Sequence, residues 1–459
     1  SVFLSLEALT FLWWVWRALV RPLVAPLCRS RWRLEALSRI RPSTTMPGWS
    51  SFRIFLVSPK RYHFQYDGDR DAQGRPHGRG VWREDSVHGE ILSGQWCDGR
   101  PAAPFLSRTF GSGAISLGLR IGFGTTRPEG VSESSWRMNS VGLRLGVLGV
   151  ECSVTGGFMA HLPQTLQHHE VGEASEMLRE LDEGISAISA QPAMFGVQAF
   201  SPPTRRVALI FIHGYNCQTD WACMRLGQLL ALSKLHPVVL PIVYSWSGGK
   251  VFSYYNVLQK VGTLAAGLPQ LLEDLHSAGI SEFHLLAHSA GCEILTAALP
   301  QLQRLPLRPV AGGAAGAPQI STVSLFNASN PEEGFLAAGG QLDQLLGVCG
   351  RVTLYCDEDD FALRSCEQMT RRGRSIGRRV QPIPAAESRV DIVNCTAMEA
   401  NVAYIRHSYF DLNVHVLGDY QELLTTGCPA SQRSRLVCAA PGQDSNVYSF
   451  LAPPAFVCW

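Results

Sequence analysis

From Arg205 onward the chain alternates short apolar runs with longer stretches of helical spacing, and this alternation limits the fold more than any other feature of its 459 residues. "RVALIFIH" is followed by the helical "WACMRLGQLLALSKL", then "PVVLPIVYSW", then the helical "VLQKVGTLAAGLPQLLEDLHSAG", then "FHLLAH". Apolar runs of about 4 to 8 residues with no polar alternation are strands buried on both faces, and such strands belong to parallel sheets with helical crossovers. "RPVAGGAAGAP", "RVTLYC" and "RVDIVNC" read as three further strands. The expectation is a doubly wound, mostly parallel α/β sheet flanked by helices, with ligands outside the carboxyl ends of the strands.

Within that frame "FHLLAHSAGCEIL" puts Ser289 at the end of a central strand and directly before a helix, in the pattern Ala287-x-Ser289-x-Gly291. A tight strand-to-helix turn brings backbone close at the positions two before and two after the serine, so small residues are needed there. The serine then stands over the helix N-terminus, whose dipole favours developing negative charge. This is a nucleophile elbow with alanine replacing the first glycine.

"FIHGYN" ends the first core strand, and Gly214 lets the backbone approach a reacting carbonyl. The N–H of Tyr215 or its neighbour can pair with the N–H of Ala290 as an oxyanion hole. His213 competes for the role of base, but a histidine beside this loop reads better as one that orients it. "RVTLYCDEDDFALRS" sets Asp357, Glu358, Asp359 and Asp360 after a strand, one to reach an imidazole and the others as solvated loop residues. His407, in "RHSYF" after the last of these strands, is the expected base; His415 competes with it but reads as the lead into the final helix.

"FIHGYN", "YSW", "LLAHSAG", "TLYCDEDDFAL" and "RHSYF" occur in the order and spacing of a widespread α/β-hydrolase family known only as a domain of unknown function, which this chain resembles over about residues 115 to 425. The upstream "FGTTRPEG" and "LRLGVLGVECSV" are similar to that family's lead-in strands. The resemblance implies an α/β-hydrolase fold with Asp360 as the triad acid, His407 of His-Ser-Tyr as the base, and an esterase, lipase or peptidase type of activity. Gln319 after Ala317-Pro318, where the family usually carries an acid, and Asn256, near a place where it tends to have aspartate, depart from the pattern and bear on substrate fit.

The expected activity is a serine hydrolase acting on a small acyl ester through Ser289, His407 and Asp360, with Gly214, Tyr215 and Ala290 at the oxyanion hole and no cofactor or metal. Two alternatives share these residues: a non-catalytic scaffold on a hydrolase fold, and acyl transfer to an acceptor other than water. The loops at 247–258 and 318–345 carry Phe252, Tyr254, Tyr255, Phe326 and Phe335, which suit an apolar acyl group or ordinary core packing.

Composition is that of a globular chain, 46% hydrophobic and 17% charged, and a net charge of +2 argues against a polyanion-binding protein, so nucleic acid is not an expected partner. Thirteen scattered cysteines without a CxxC pair signal neither a zinc site nor a disulfide framework, and point to a reducing, intracellular compartment.

Residues 1–60 read as a leader or linker, rich in arginine and poor in acids. The first methionine is Met46, so residues 1–45 are read either as an organelle leader or as upstream sequence read in frame or the remnant of a longer protein, with a membrane anchor as a third reading.

Residues 61–104, with "HGRGVW" and a glycine-aromatic rhythm of 25 to 26 residues, resemble about one and a half MORN (membrane occupation and recognition nexus) repeats. The resemblance implies β-hairpins and a peripheral membrane or protein contact. Residues 105–425 are the expected hydrolase domain, with its catalytic core at 205–425, led in by β-hairpins at 104–160 and a surface helix with Met177, Leu178, Leu181 and Ile185 on one face. The basic stretch Arg371 to Arg379 is expected to be a solvated face, and the tail 426–459 to lie outside the core.

Overall fold

The computed structural model describes residues 64–72, 76–84, 91–97, 100–101, 115–127, 142–155, 158–159, 163–189, 206–235, 238–249, 254–305, 319–383, 389–396, 406–411, 413–439 and 445–450. The expected leader and the strand expected at 308–318 lie outside the described residues. Strands β1 (Phe64–Arg70), β2 (Pro76–Glu84), β3 (Ile91–Cys97) and β4 (Arg100–Pro101) pair antiparallel in that order as a small sheet. Tyr66 stands opposite Trp82 and Gly80 opposite Gly94, so aromatic and glycine positions are in register across the hairpins.

The principal sheet takes in β5 (Ile115–Thr125), β6 (Arg144–Thr155), β7 (Phe158–Met159) and β8 (Gln164–Val171), followed by helix α1 (Ala174–Ser189). Strand β9 (Val207–Ile212), helix α2 (Thr219–Ser233) and β10 (Leu240–Ser245) come next, then helices α3 (Tyr254–Gln259), α4 (Val261–Ala265) and α5 (Gly267–Ser277). Strand β11 (Glu282–His288) leads into α6 (Ala290–Leu302), and β12 (Gln319–Phe326) into the short α7 (Glu332–Leu336) and α8 (Gln341–Leu346). The chain continues through β13 (Cys349–Cys356), α9 (Phe361–Thr370), β14 (Val390–Asn394), α10 (Val414–Thr426), β15 (Leu436–Cys438) and β16 (Val447–Phe450).

Strands β16, β14, β13, β12, β11, β9, β10 and β5 lie side by side and parallel. The lead-in hairpins are therefore part of the sheet: β5 continues the parallel order beyond β10, and β6 pairs antiparallel with β5, β7 and β8. From β9 the chain first steps to β10 and then crosses back to β11 on its other side. That reversal is the topological switch point, where an open α/β sheet forms its crevice.

The absence of alternation in β9 has a plain cause. Ala208, Ile210 and Ile212 enter one core layer while Leu209 and Phe211 enter the other. Each of these Leu, Ile and Phe side chains contributes roughly 1.5–3 kcal/mol when fully buried, so a polar face here would forfeit one of the two cores. Helix α1 buries Met177, Leu178 and Leu181 with Ile185 packed beside them, as its spacing predicts.

One expectation is corrected. The described part of the tail is not outside the core: β16 pairs parallel with β14, β15 pairs antiparallel with β16, and Leu436, Val447 and Phe450 are buried. Strands of three and four residues are too short to leave a period in a Pro- and Ser-rich text. Among the described residues the strand after α6 comprises Gln319–Phe326, "QISTVSLF".

Candidate active site

Ser289 occupies the single position between β11 and α6, with φ 55° and ψ −125°. A non-glycine residue with positive φ carries strain, which the surroundings must hold in place. They do so by hydrogen bonds and by contact: Ser289 N donates to Phe326 O at 2.9 Å, and Ser329 N to Ser289 O at 3.5 Å. A Cβ on Gly291 would fall 2.3 Å from Ile212 O and 2.5 Å from His213 O. Both are backbone atoms of β9 and the loop after it, so the clash has no side-chain escape. Gly291→Ala is expected to lower stability by roughly 1–3 kcal/mol, read as a lower urea midpoint at unchanged slope.

His407 Nε2 lies 2.7 Å from Ser289 Oγ, and His407 Nδ1 lies 2.6 Å from Asp360 Oδ2. An ionised carboxylate only accepts, so Nδ1 carries the proton and Nε2 presents its lone pair to the serine hydroxyl. Asp360 is fully buried and caps α9: its Oδ1 accepts from Leu363 N at 2.9 Å, while Oδ2 also accepts from Asn327 Nδ2 at 2.7 Å. Asn327, at the end of β12 with φ 48°, is a site residue absent from the sequence reading. His415 is buried in the first turn of α10, and among the hydrogen bonds described it is His407, not His415, that meets Ser289.

The segment carrying His407 is pinned on both sides. Arg406 pairs with Asp357 at 2.7 Å and donates to Thr396 O at 2.8 Å. On the far side Asp411 accepts two hydrogen bonds from Arg225, at 2.7 and 3.0 Å, and the Arg225 guanidinium lies 4.3 Å from the Phe410 ring centroid. His288 Nε2 donates to His407 O at 2.7 Å, and burial pushes its imidazole well below the usual pKa, so it serves as a neutral donor. Asp357 corrects another expectation, because it is fully buried rather than solvated, with burial pushing its pKa up to about 6 against the pull of Arg406. Glu358 and Asp359 are the more exposed members, paired with Arg374 and Arg364.

Gly214 backs directly onto the elbow: a Cβ there would sit 3.0 Å from His288 Nδ1 and 3.2 Å from Ser289 Cβ. The Tyr215 and Tyr254 rings meet edge to face with centroids 5.1 Å apart, and Asn216, with φ 52°, donates its N–H to Gly248 O at 2.8 Å. His213 is buried and turns Nδ1 to Gly214 O at 2.8 Å, with its ring flat on Trp246. Among the hydrogen bonds described, none joins it to Ser289.

The basic stretch is exposed at Arg371 and Arg372 and half-buried at Arg374, Arg378 and Arg379, and four of its arginines are paired. Arg372 grips the buried Glu293 of α6 with two hydrogen bonds, at 3.0 and 2.7 Å, Arg374 pairs with Glu358, Arg378 with Glu367, and Arg379 with Glu332. Of the loop aromatics, Phe326 and Phe335 belong to the core, Tyr254 is buried, Tyr255 is 63% exposed, and Phe252 lies outside the described residues. Asn256 is exposed on α3, and Gln319 opens β12.

The model of the family described as alpha/beta hydrolase of unknown function (DUF900) matches residues 196–426. Residues 64–101 fall outside that match. Among solved structures, an esterase of Pyrococcus furiosus is similar over 42% of this chain and 72% of its own, at 13% identity and a TM-score of 0.25. A second crystal form of it covers 48% and 81%, at 12% identity and 0.28. A hyperthermophilic esterase from the archaeon Pyrobaculum calidifontis covers 55% of this chain and 91% of its own, at 11% identity and 0.27. No curated protein matches the chain.

Proposed function

The chain belongs to the family of alpha/beta hydrolases of unknown function (DUF900), and on that premise we propose that it is a serine hydrolase cleaving a carboxylic ester of a small molecule. The observation that carries the reading is the continuous hydrogen-bonded line from Ser289 Oγ through His407 to Asp360, 2.7 and 2.6 Å long at its two joints. Ser289 Oγ attacks the ester carbonyl carbon as its proton passes to His407 Nε2, and the carbonyl π electrons move onto oxygen. The N–H of Ala290, at the start of α6 and without a partner inside the helix, and the N–H of Tyr215 receive that charge. Collapse breaks the bond to the alkoxide, which leaves as an alcohol with the proton from His407. Water then adds to the acyl-enzyme, giving its proton to His407, and the acid departs as Oγ regains the proton. Asp360 keeps the ring in the required tautomer and balances the imidazolium.

The test is covalent capture followed by turnover. A fluorophosphonate is expected to leave a single adduct, found by mass spectrometry on the peptide containing Ser289, and the same protein is expected to hydrolyse p-nitrophenyl esters, with the acetate-to-palmitate profile sizing the acyl pocket. A folded protein that takes no adduct, or takes it elsewhere, removes the reading and leaves the scaffold alternative.

A further inference from the structure

The loop after β9 is held from a part of the chain that precedes the family match. Arg127 follows β5, two residues beyond its end. Its Nε donates to Trp246 O at 3.0 Å and its Nη2 to Cys217 O at 2.7 Å, and the same Nη2 lies 3.4 Å from His213 Nε2. Arg144, the first residue of β6, donates to Arg127 O at 2.9 Å, so the antiparallel extension of the sheet holds the arginine in turn.

The tautomer of His213 follows from its neighbours. Nδ1 faces the Gly214 carbonyl, which only accepts, so Nδ1 carries the proton and Nε2 is the acceptor turned to the guanidinium. Burial first, and the Arg127 charge second, push this imidazole down to about 3, in keeping with a neutral ring. No described peptide bond is cis, and in a trans peptide the C=O of Gly214 and the N–H of Tyr215 point in opposite directions. Holding the Gly214 carbonyl against a buried imidazole therefore turns the Tyr215 N–H outward, on a loop whose Gly214 touches Ser289.

We infer that Arg127 is a positioning residue for the oxyanion hole: it ties Cys217 to Trp246, fixes which ring nitrogen of His213 holds the proton, and so sets the direction of the Tyr215 N–H. This rests on the serine-hydrolase reading given above. It makes the antiparallel strands β5 and β6 part of the catalytic unit. Lysine is no substitute, because one ammonium cannot present donors to Trp246 O, Cys217 O and His213 Nε2 in the fixed plane of a guanidinium.

The experiment uses the full chain with Arg127→Gln and Arg127→Lys, near-UV circular dichroism to establish that both fold, ester kinetics, fluorophosphonate labelling, and ¹⁵N shifts of the His213 ring. Both variants are expected to lose roughly 10- to 100-fold in kcat and in labelling rate with KM little changed, since the lost interaction acts on transition-state charge. The His213 ring is expected to leave the pure Nδ1–H tautomer, read in its ¹⁵N shifts. Unchanged kcat in the folded variants overturns the inference, and so does a loss of activity with an unchanged His213 tautomer, which is what a merely structural role gives. A wild-type chain that takes no Ser289 adduct while its His213 ring responds to Arg127 in the predicted way marks the hydrolase reading, not the brace, as the failure.

Discussion

Asp360→Asn is expected to lower ester turnover by roughly 10⁴-fold while leaving the fold intact. The magnitude follows from the donors around the carboxylate. Oδ1 accepts from Leu363 N, and Oδ2 accepts from both Asn327 Nδ2 and His407 Nδ1, so all three neighbours are donors. An asparagine has one oxygen for these two places. If the oxygen stays with Leu363, the new NH₂ faces Asn327 and the imidazole, which must then move its proton to Nε2 and can no longer accept from Ser289. If the amide flips, the NH₂ confronts the Leu363 N–H and uncaps α9. Either arrangement removes the base or disturbs its support, and the first conserves the packing. The measurement is kcat on a p-nitrophenyl ester beside near-UV circular dichroism. A folded variant that keeps most of the wild-type rate excludes Asp360 as the acid.

The parts of this site that were legible in the sequence are those that sit at the end of a strand and carry an unusual residue type. Ser289 and Gly214 announce themselves because a tight turn and a close approach admit few alternatives, and Gly291 can be nothing larger against Ile212 O and His213 O. The line from Ser289 through His407 to Asp360 follows from order along the chain, and among the hydrogen bonds described His407 is the histidine that meets both Ser289 and Asp360. What was illegible is held by pairs distant in sequence. Asn327 reaches Asp360 across 33 positions, and Arg406 meets Asp357 across 49, with no local pattern to mark either contact. The pairing of Arg372 and its neighbours is hidden because a run of like charges shows its own sign and nothing of its partners; Glu293 and Glu332 lie outside the run. The tail failed for a different reason. Its strands take their order from an edge that already exists, so their own periodicity carries little information.

Arg433 is where that tail is locked, and its removal is expected to be the costliest change away from the catalytic line. The guanidinium is fully buried, 2.8 Å from Asp419 of α10 and 3.4 Å from Asp391 of β14, with the Tyr355 hydroxyl of β13 at 3.3 Å. Tyr355 itself donates to Asp419 at 2.8 Å, and Arg351 shares Asp391 at 3.1 Å. Arg433→Ala leaves Asp419 buried without its cation and is expected to cost about 3–5 kcal/mol at pH 8, measured as the shift in urea unfolding. The pH dependence gives the loss a signature. Burial raises the Asp419 pKa from 3.8 to about 6 even with Arg433 pulling it down. Without the arginine it rises further, so at mildly acid pH the folded variant holds a proton that the unfolded chain, near its ordinary value, has released. Folding of the variant is then favoured as pH falls, and the deficit is expected to be greatest at alkaline pH, to shrink as pH falls toward about 6, and to level off below it, where the carboxyl is neutral with or without the arginine. Asp419→Asn added to Arg433→Met, which removes both charges and keeps most of the volume, is expected to recover much of the loss. A deficit that is equal at pH 8 and pH 5.5, or that the double variant does not reduce, means that the tail is held by its strand pairing and apolar contacts, with the buried ion pair contributing little.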